Sequence, residues 1–507
     1  MERRSTRNGE RVLFFLLFVT FSYFHQGGFA NSNSRFDLTL ALAFERTYSI
    51  DAFHANTIDK VRVGGHYFSE KAPGAAYAAL PVPLVGALVL DTGDLRGEPG
   101  LGDLLLHLAT ALSAGLVSAL AGVAFRRLVL RINPALSRSA ATLITIGVFL
   151  GTPLFAYSTM LFGHALAAGW LVIGLELGLA AGAPPRADLR RAAGAAFALG
   201  LAVLSEYPAA VPALAIWVAI VALAADRRRI WLGAAAAAIP AALLMVHQAA
   251  SFGSPLAIGY GKLEGTPFGS GMAQGLFGIT LPSPPAMLQL LFGEYRGLFV
   301  YAPILALAVG ALAWWPRRLR LRLAVPLMLG SVALLLVISS YVFWQGGPAF
   351  GPRHLVPIMP LLGLGLAFQP AGTAWRTVLG TVVAASVALN LAGTATTPFV
   401  SEFETKPLTG IYPSLVRDGA VSLNPVSLFT PAGAVDARWE HADRHPLAAY
   451  NIGERLGLAG WVSLLPLAAA WLLGITVLRR QASVDDAPDQ GAQGAARTAA
   501  DHEQANA

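Results

Sequence analysis

Residues 75–90 read AAYAALPVPLVGALVL, and whether this apolar run crosses a membrane decides the topology of the chain. A spanning helix needs about 20 consecutive apolar residues. This run is shorter, and Pro81 and Pro83 lie inside it, where proline removes hydrogen bonds from a helix interior. We therefore expect an interfacial or re-entrant helix at 75–90 rather than a span.

The composition of the whole chain indicates an integral membrane protein. Of 507 residues, 55% are hydrophobic and 13% are charged, and the mean hydropathy is +0.57. A soluble domain of this composition would have too little polar surface to cover its exterior. The chain contains no Cys, which excludes disulfides and thiolate metal sites.

Clusters of arginine separate the apolar runs. In a polytopic protein such clusters mark cytoplasmic ends, so the net charge of +7 reflects orientation and does not indicate nucleic acid binding. Each stretch between neighbouring clusters must then cross the membrane an even number of times. Three apolar runs lie between Arg11 and Arg126. Because an odd number cannot all cross, the weakest of them, 75–90, is excluded as a span. The clusters are Arg3/Arg4/Arg7/Arg11, Arg126/Arg127/Arg131, Arg186/Arg190/Arg191, Arg227/Arg228/Arg229, Arg317/Arg318/Arg320/Arg322, Arg376 and Arg479/Arg480.

This rule predicts an all-α polytopic protein of the cytoplasmic (inner) membrane with about twelve spans and both termini in the cytoplasm. Residues 1–480 form one transmembrane domain, and 481–507 form a disordered cytoplasmic tail. The predicted spans lie at about 12–30, 103–125, 139–160, 163–183, 193–206, 208–225, 230–250, 295–315, 323–343, 355–370, 377–397 and 456–478.

Three long segments are then predicted on the outer side: the first (31–102), the middle (251–294) and the third (398–455). Polar residues within or beside the spans collect near the same side. Taken singly, each is typical of a membrane interface, where ionisable groups avoid the bilayer centre. Their one-sidedness favours a functional cavity. The residues are His107, His164, Glu206, His247, Gln248, Glu294, Arg296, Arg353 and His354.

Asp37 and Glu45 are the candidate catalytic residues of the first long segment. If residues 36–48 are helical, Asp37, Ala41 and Glu45 lie broadly on one side. A carboxylate that faces a cavity can act as general base towards an acceptor hydroxyl. A solvated acidic face is an equally good interpretation of this spacing.

Lys71 and Arg353 are the candidate anion-binding residues. Glu70 and Lys71 stand directly before Pro73-Gly74, where a surface ion pair is the alternative. The loop WQGGPAFGPRHLVPIMP, 344–360, delivers Arg353 and His354 to the start of a span. Arginine at such a depth is costly unless paired, and phosphate suits its planar fork. Pairing with Glu206 or Glu294 is the structural alternative.

Three stretches resemble motifs of the GT-C superfamily of polytopic glycosyltransferases, especially bacterial relatives of protein O-mannosyltransferases and of the lipid A aminoarabinose transferase. YFSEKAPG at 67–74 looks like the family's YFEKPPL, with Lys71 matching its lysine. LAVLSEYPAA at 201–210 looks like its helical hairpin L..LTKGP, with Glu206 in place of lysine. RHLVPIMP at 353–360 is similar to its RYLLPLLP.

The resemblance implies a polyprenyl-phosphate sugar as donor, a hydroxyl of a lipid, polysaccharide or protein as acceptor, and reaction on the outer side of the membrane. No metal ligands are assigned, and a divalent cation stays open as cofactor. The donor phosphate is expected at Lys71, Arg353, His354 and Arg296, with Glu70, Glu206, His164 and Glu294 in support.

One departure from the family concerns its catalytic acid, normally an Asp-Glu just after the first span. Asn33-Ser34 stand at those positions, with Asp37 one turn later. Either Asp37, Asp51 or Asp59 takes over the role, or the chain performs different chemistry. Two other functions therefore stay open, namely a lipid or polysaccharide transporter or flippase, and a non-catalytic subunit on the same scaffold.

Overall fold

The protein is an all-α polytopic integral membrane protein, as the sequence predicts. Its structure, a computed structural model, describes residues 2–183, 188–262, 268–370, 372–432 and 448–485. The first residues of the predicted disordered tail, 481–507, instead continue the helix Leu465–Asp485, and the part from 486 onwards lies outside this range. Four short strands form two antiparallel pairs in the described residues: Phe24–His25 with Tyr450–Asn451, and Lys60–Val63 with His66–Ser69.

Six helices among the described residues are long and apolar enough to cross a membrane, and four shorter helices are also apolar. Two more, Glu2–Ser22 and Leu189–Ser205, overlap the predicted spans 12–30 and 193–206. The number of crossings, twelve, stays a prediction. The long helices are Gly100–Ile132, Gly163–Ala181, Arg227–Phe252, Arg317–Ser339, Thr373–Thr396 and Gly460–Leu478, and the shorter ones are Arg138–Leu150, Tyr207–Leu223, Pro303–Trp314 and Arg353–Ala367.

Short helices form most of the connections. The Ala30–Leu40 helix continues into a π-helical turn, Ala41–Glu45, and ends at Arg46, whose φ of 53° is left-handed. The other short helices are His54–Asn56, Gly74–Ala79, Pro81–Gly86, Thr92–Gly97, Leu154–Ser158, Gly259–Lys262, Gly269–Met272, Pro284–Phe292, Leu298–Tyr301, Pro407–Gly410, Tyr412–Arg417 and Ile452–Arg455.

Residues 75–90 do not form a spanning helix. They fold as Gly74–Ala79 and Pro81–Gly86, each of six residues. At about 1.5 Å per residue, each covers only about 9 Å. Leu88 and Val89, which follow the second helix, are 80% and 81% exposed, as expected of side chains that contact lipid. Their location at the outer face of the membrane stays a prediction.

The turn at Ser205 joins the first long segment to the membrane helices. A Cβ on Gly74 would lie 2.6 Å from the backbone nitrogen of Ser205, and one on Gly163 would lie 2.2 Å from its carbonyl oxygen. Real side chains do not tolerate such distances, so glycine is required at both positions. The starts of two helices are thereby packed directly against this turn, and the polar residues beside it are brought together.

Single-cysteine labelling tests the predicted topology, because the natural chain has no Cys. Thr92 follows the two short helices, and Ala135 is exposed in the loop after the long Gly100–Ile132 helix. We expect an impermeant maleimide to label Thr92→Cys in intact cells and Ala135→Cys only after permeabilisation. Labelling of Ala135→Cys but not Thr92→Cys in intact cells would show that the two loops lie on opposite sides from those predicted.

Candidate active site

A cavity of about 590 Å³ lies where the first long segment meets the middle and third segments. Its wall combines charged and polar side chains with aromatic and apolar ones. The polar lining includes Asn33, Arg35, Asn56, Asp59, Glu70, Lys71, His164, Glu206, Gln345, Arg353, His354 and Glu402, and the aromatic lining includes Phe29, Tyr260, Phe268, Tyr341 and Phe343. Among the described residues, no group of three or more His, Asp or Glu side chains is arranged to hold a metal ion.

Lys71 is held between two carboxylates at one side of the cavity. Its Nζ lies 2.5 Å from Glu70 Oε1 and 3.1 Å from Asp59 Oδ2. Burial lowers the pKa of the Lys71 ammonium, but the two carboxylates oppose this effect and the pKa is raised overall. Burial also raises the pKa of Glu70, with Lys71 acting against it. The two carboxylates therefore keep Lys71 protonated.

A β-hairpin brings Asp59 beside Glu70 and Lys71. Strands Lys60–Val63 and His66–Ser69 are antiparallel, and Lys60 is the pairing partner of Ser69. The connection is Gly64-Gly65, both with positive φ, which is typical of a two-residue hairpin turn. Asp59, directly before the first strand, is consequently a neighbour of Glu70 and Lys71, directly after the second.

A second group of charged and polar side chains lies beside the turn at Ser205. Arg35 Nη2 donates to Glu206 Oε1 at 2.6 Å, and His164 Nδ1 lies 3.5 Å from the same oxygen. The rings of His164 and His354 are 5.4 Å apart. The sequence-predicted residues Glu206, His164 and His354 are thus brought together, and Glu206 is paired with Arg35, which the sequence motifs do not indicate.

Arg353 differs from the other cations of the cavity. Among the residues that the structure describes, no carboxylate lies within ion-pairing distance of its guanidinium, and its buried Nε has no hydrogen-bond partner. The guanidinium carbon lies 5.7 Å from the centre of the Phe162 ring. Because Lys71 and Arg35 are already paired, Arg353 is the cation best placed to receive an anionic ligand.

Asp37 does not line the cavity. Its side chain is fully buried, with Oδ1 accepting a hydrogen bond from Asn56 Nδ2 at 3.0 Å and Oδ2 left without a partner. Burial raises the pKa of Asp37 well above its ordinary value, against smaller effects of Asn56 and Lys60. A carboxyl group that is enclosed away from the cavity is poorly suited to act as general base towards a ligand there.

Glu45 is exposed on the π-helical turn and also lies outside the cavity. The expected catalytic face is not formed, because Asp37 is fully buried while Glu45 is exposed where the helix ends. Of the alternatives, Asp51 is exposed and paired with His66 at 2.5 Å. Asp59 is the one of the four carboxylates that lines the cavity.

Arg296 and Glu294 are likewise not cavity residues. Arg296 is fully buried and donates to three backbone carbonyls, so it has a structural role rather than the expected direct contact with a phosphate. Glu294 accepts hydrogen bonds from the backbone N–H and the hydroxyl of Thr409, and thereby joins the middle and third segments.

Asn33, at the position of the family's acid, holds backbone in place. Its amide donates to the carbonyls of Asn56 at 3.0 Å and Leu428 at 3.3 Å, and its oxygen accepts from the N–H of Phe29. Ser34, on the same helix, shares a hydrogen bond of 2.8 Å with Ser69 at the end of the hairpin. Both side chains therefore stabilise the wall of the cavity.

The pH dependence of stability distinguishes a buried neutral Asp37 from an ionised base. The folded protein holds the Asp37 proton more tightly than the unfolded chain, so stability is lost as pH rises from the ordinary pKa towards the raised one. Asp37→Asn removes this loss. We expect the thermal unfolding temperature of Asp37→Asn, relative to that of wild type at the same pH, to rise as pH increases above the ordinary pKa of Asp, measured by tryptophan fluorescence in detergent.

Asp51→Asn is a control for which the opposite change in stability is expected. Burial raises the pKa of Asp51, but hydrogen bonds from the Tyr67 N–H and from His66 together outweigh it and the pKa is lowered. Ionised Asp51 therefore stabilises the fold above its ordinary pKa, and this contribution is lost as pH falls. The Asn variant should be less stable near neutral pH. If Asp37→Asn behaved in the same way, Asp37 would be an ionised, partnered carboxylate.

Neither a protein-family model nor a curated protein matches the sequence. Similar solved structures include ArnT from Cupriavidus metallidurans in the apo state, which is 17% identical over 82% of this chain and 70% of that chain. The structure of ArnT bound to undecaprenyl phosphate is 16% identical over 93% of this chain and 73% of that chain. Both have a TM-score of 0.47. Another is the archaeal oligosaccharyltransferase AglB from Archaeoglobus fulgidus, in complex with an inhibitory peptide and a dolichol-phosphate. It is 10% identical over 86% of this chain and 61% of that chain, with a TM-score of 0.46. At these identities and TM-scores, the function of this chain has to be argued from its own cavity.

Proposed function

We propose that the protein is a membrane glycosyltransferase that transfers a sugar from a polyprenyl-phosphate donor to a hydroxyl of a lipid, polysaccharide or protein. The reaction would take place on the outer side of the cytoplasmic membrane, where the long segments are predicted. The observation that carries the proposal is the cavity that is lined by Arg353, without a carboxylate partner among the described residues, and also by Lys71 and Asp59.

The donor phosphate is assigned to Arg353, with His354 beside it. A guanidinium can bind two phosphate oxygens at once, and charge-assisted hydrogen bonds of this kind are about twice as strong as neutral ones. Lys71 contributes positive charge to the same cavity, although its ammonium is already bonded to Asp59 and Glu70. We therefore expect Arg353 to contribute more to phosphate binding than Lys71.

Asp59 is assigned as general base. The acceptor oxygen attacks the anomeric carbon of the donor sugar while the bond between that carbon and the phosphate oxygen breaks. The polyprenyl phosphate leaves with the bonding electrons, and the acceptor proton passes to the Asp59 carboxylate. Asp59 lines the cavity, and the Lys71 ammonium lies 3.1 Å from its carboxylate. Arg353 would stabilise the negative charge that develops on the leaving phosphate.

A transporter is a weaker interpretation of the same structure. A transport path needs polar groups that can be reached from both sides of the bilayer. The polar groups named above converge on one cavity, and the second described cavity, of about 170 Å³, has Arg131 as its one charged lining residue and is otherwise lined by glycine and apolar residues. This distribution supports an enzyme with one binding chamber.

Binding of undecaprenyl phosphate to purified protein in nanodiscs tests the phosphate site. Arg353→Ala should weaken binding about tenfold or more, which corresponds to the loss of a charge-assisted interaction of about 1.5–3 kcal/mol. Lys262→Ala and Lys406→Ala are matched controls, because neither lysine lines the cavity. Equal, mild losses in all three variants would indicate general electrostatics and remove the basis of the proposal.

Replacement of the carboxylates tests the base. Asp59→Asn should reduce transfer about 10²–10⁴-fold while undecaprenyl phosphate binding is kept, and Asp37→Asn and Asp51→Asn should retain most activity. The readout is the sugar content of envelope glycolipids and polysaccharides in a deletion strain that carries each variant. Restored sugar with Asp59→Asn would contradict the assignment, and restoration by all three variants would favour a non-catalytic subunit or a transporter.

A further inference from the structure

Arg296 is a fully buried cation whose donors all act on backbone. Its Nε donates to the Gln345 carbonyl at 2.9 Å, and its Nη2 donates to the Gly347 carbonyl at 2.9 Å. The third donor, Nη1, bonds to the carbonyl of Tyr295 at 3.0 Å. The guanidinium carbon also lies 4.0 Å from the centre of the Tyr295 ring. Two of these bonds hold the short loop 345–347, which lines the cavity.

The same loop packs against Arg353. Gly346 has a φ of +77°, and a Cβ at this position would lie 2.8 Å from Arg353 Nε. The backbone of Gly346 is thus in direct contact with the Arg353 side chain. Gly347 has a similar φ of +62°, but a Cβ there would meet only Glu402, at 3.9 Å. Only the first of the two glycines is therefore required by contact with the guanidinium.

We propose that Arg296 is a positioning residue that holds Arg353 in the orientation that binds phosphate, acting through the loop 345–347. The inference rests on the proposed function, because it assumes that Arg353 binds the donor phosphate. Arg296 itself contacts no ligand, since it lies behind the loop and does not line the cavity. Arg296 restricts the Arg353 side chain before a ligand binds. Less conformational entropy of Arg353 is then lost on binding.

The geometry explains why arginine is needed at this position. The bonds to Gln345 and Gly347 leave from different nitrogens of one rigid planar group, whereas a lysine ammonium is a single point charge. Among the described residues no carboxylate pairs with Arg296, and carbonyl oxygens and the Tyr295 ring surround the charge. A lysine would keep the charge but could not hold both carbonyls of the loop in the same way.

A double-mutant cycle tests the inference with undecaprenyl phosphate as the probe. Arg296→Lys should weaken binding about tenfold in the wild-type background, as expected for loss of a charge-assisted hydrogen bond. In the Arg353→Ala background it should have no further effect, because the residue through which it acts is absent. Tryptophan fluorescence unfolding of each variant in detergent identifies protein that has failed to fold.

Substitution of the loop glycines provides a second readout that leaves Arg296 in place. Gly346→Ala should weaken binding about as much as Arg353→Ala, because the new methyl group displaces the guanidinium. Gly347→Ala carries a comparable backbone strain of about 1 kcal/mol without this clash and should cause a clearly smaller loss. Equal losses at the two glycines would show that loop strain, not contact with Arg353, determines binding.

The outcomes separate this inference from the proposed function. If Arg353→Ala binds undecaprenyl phosphate as tightly as wild type, the phosphate site itself is wrong. If Arg353→Ala loses binding, the phosphate site stands. The positioning role of Arg296 is then wrong if the loss caused by Arg296→Lys adds to that of Arg353→Ala, or if Arg296→Lys alone has no effect on binding.

Discussion

The buried ion pair between Arg35 and Glu206 is the interaction on which the cavity depends. It joins the Ala30–Leu40 helix of the first long segment to the turn between two membrane helices, at 2.6 Å. Removing one partner of a buried pair leaves an uncompensated charge and costs about 3–5 kcal/mol. Gly74 and Gly163 close the remaining space around this turn. A polar segment can therefore be held against apolar helices only while both charges are present.

The distribution of charge around the cavity follows from the same requirement. Arg35 is paired with Glu206, and Lys71 is paired with Asp59 and Glu70. Each of these cations has its carboxylate because an unpaired buried charge is expensive. Arg353 departs from this pattern among the described residues, and it is contacted by a loop that a second buried arginine holds. A cation fixed in place without a carboxylate is the arrangement expected of a site that receives its counter-ion from a ligand.

The sequence predicted the class of fold and a part of the site. Hydropathy and arginine clusters predicted a polytopic helical protein, and the two prolines excluded a span at 75–90. Lys71, His164, Glu206, Arg353 and His354 were selected by their position near one side, and all five line the cavity. The helix face predicts Asp37, and this prediction is wrong because that side chain packs in the interior against Asn56 and does not line the cavity. Asp59 depends on the register of the Lys60–Ser69 hairpin, which the Gly64-Gly65 pair in VRVGGHYF signalled. Arg35 could not be selected, since its partner is 171 residues away.

The central claim is that the cavity binds the phosphate of a polyprenyl-phosphate donor at Arg353. The most direct measurement is a cryo-electron-microscopy structure of the protein in nanodiscs with undecaprenyl phosphate. We expect phosphate density within hydrogen-bonding distance of the Arg353 guanidinium, inside the cavity that Lys71 also lines. Density for the phosphate elsewhere in the protein, with Arg353 paired to a carboxylate instead, would contradict it.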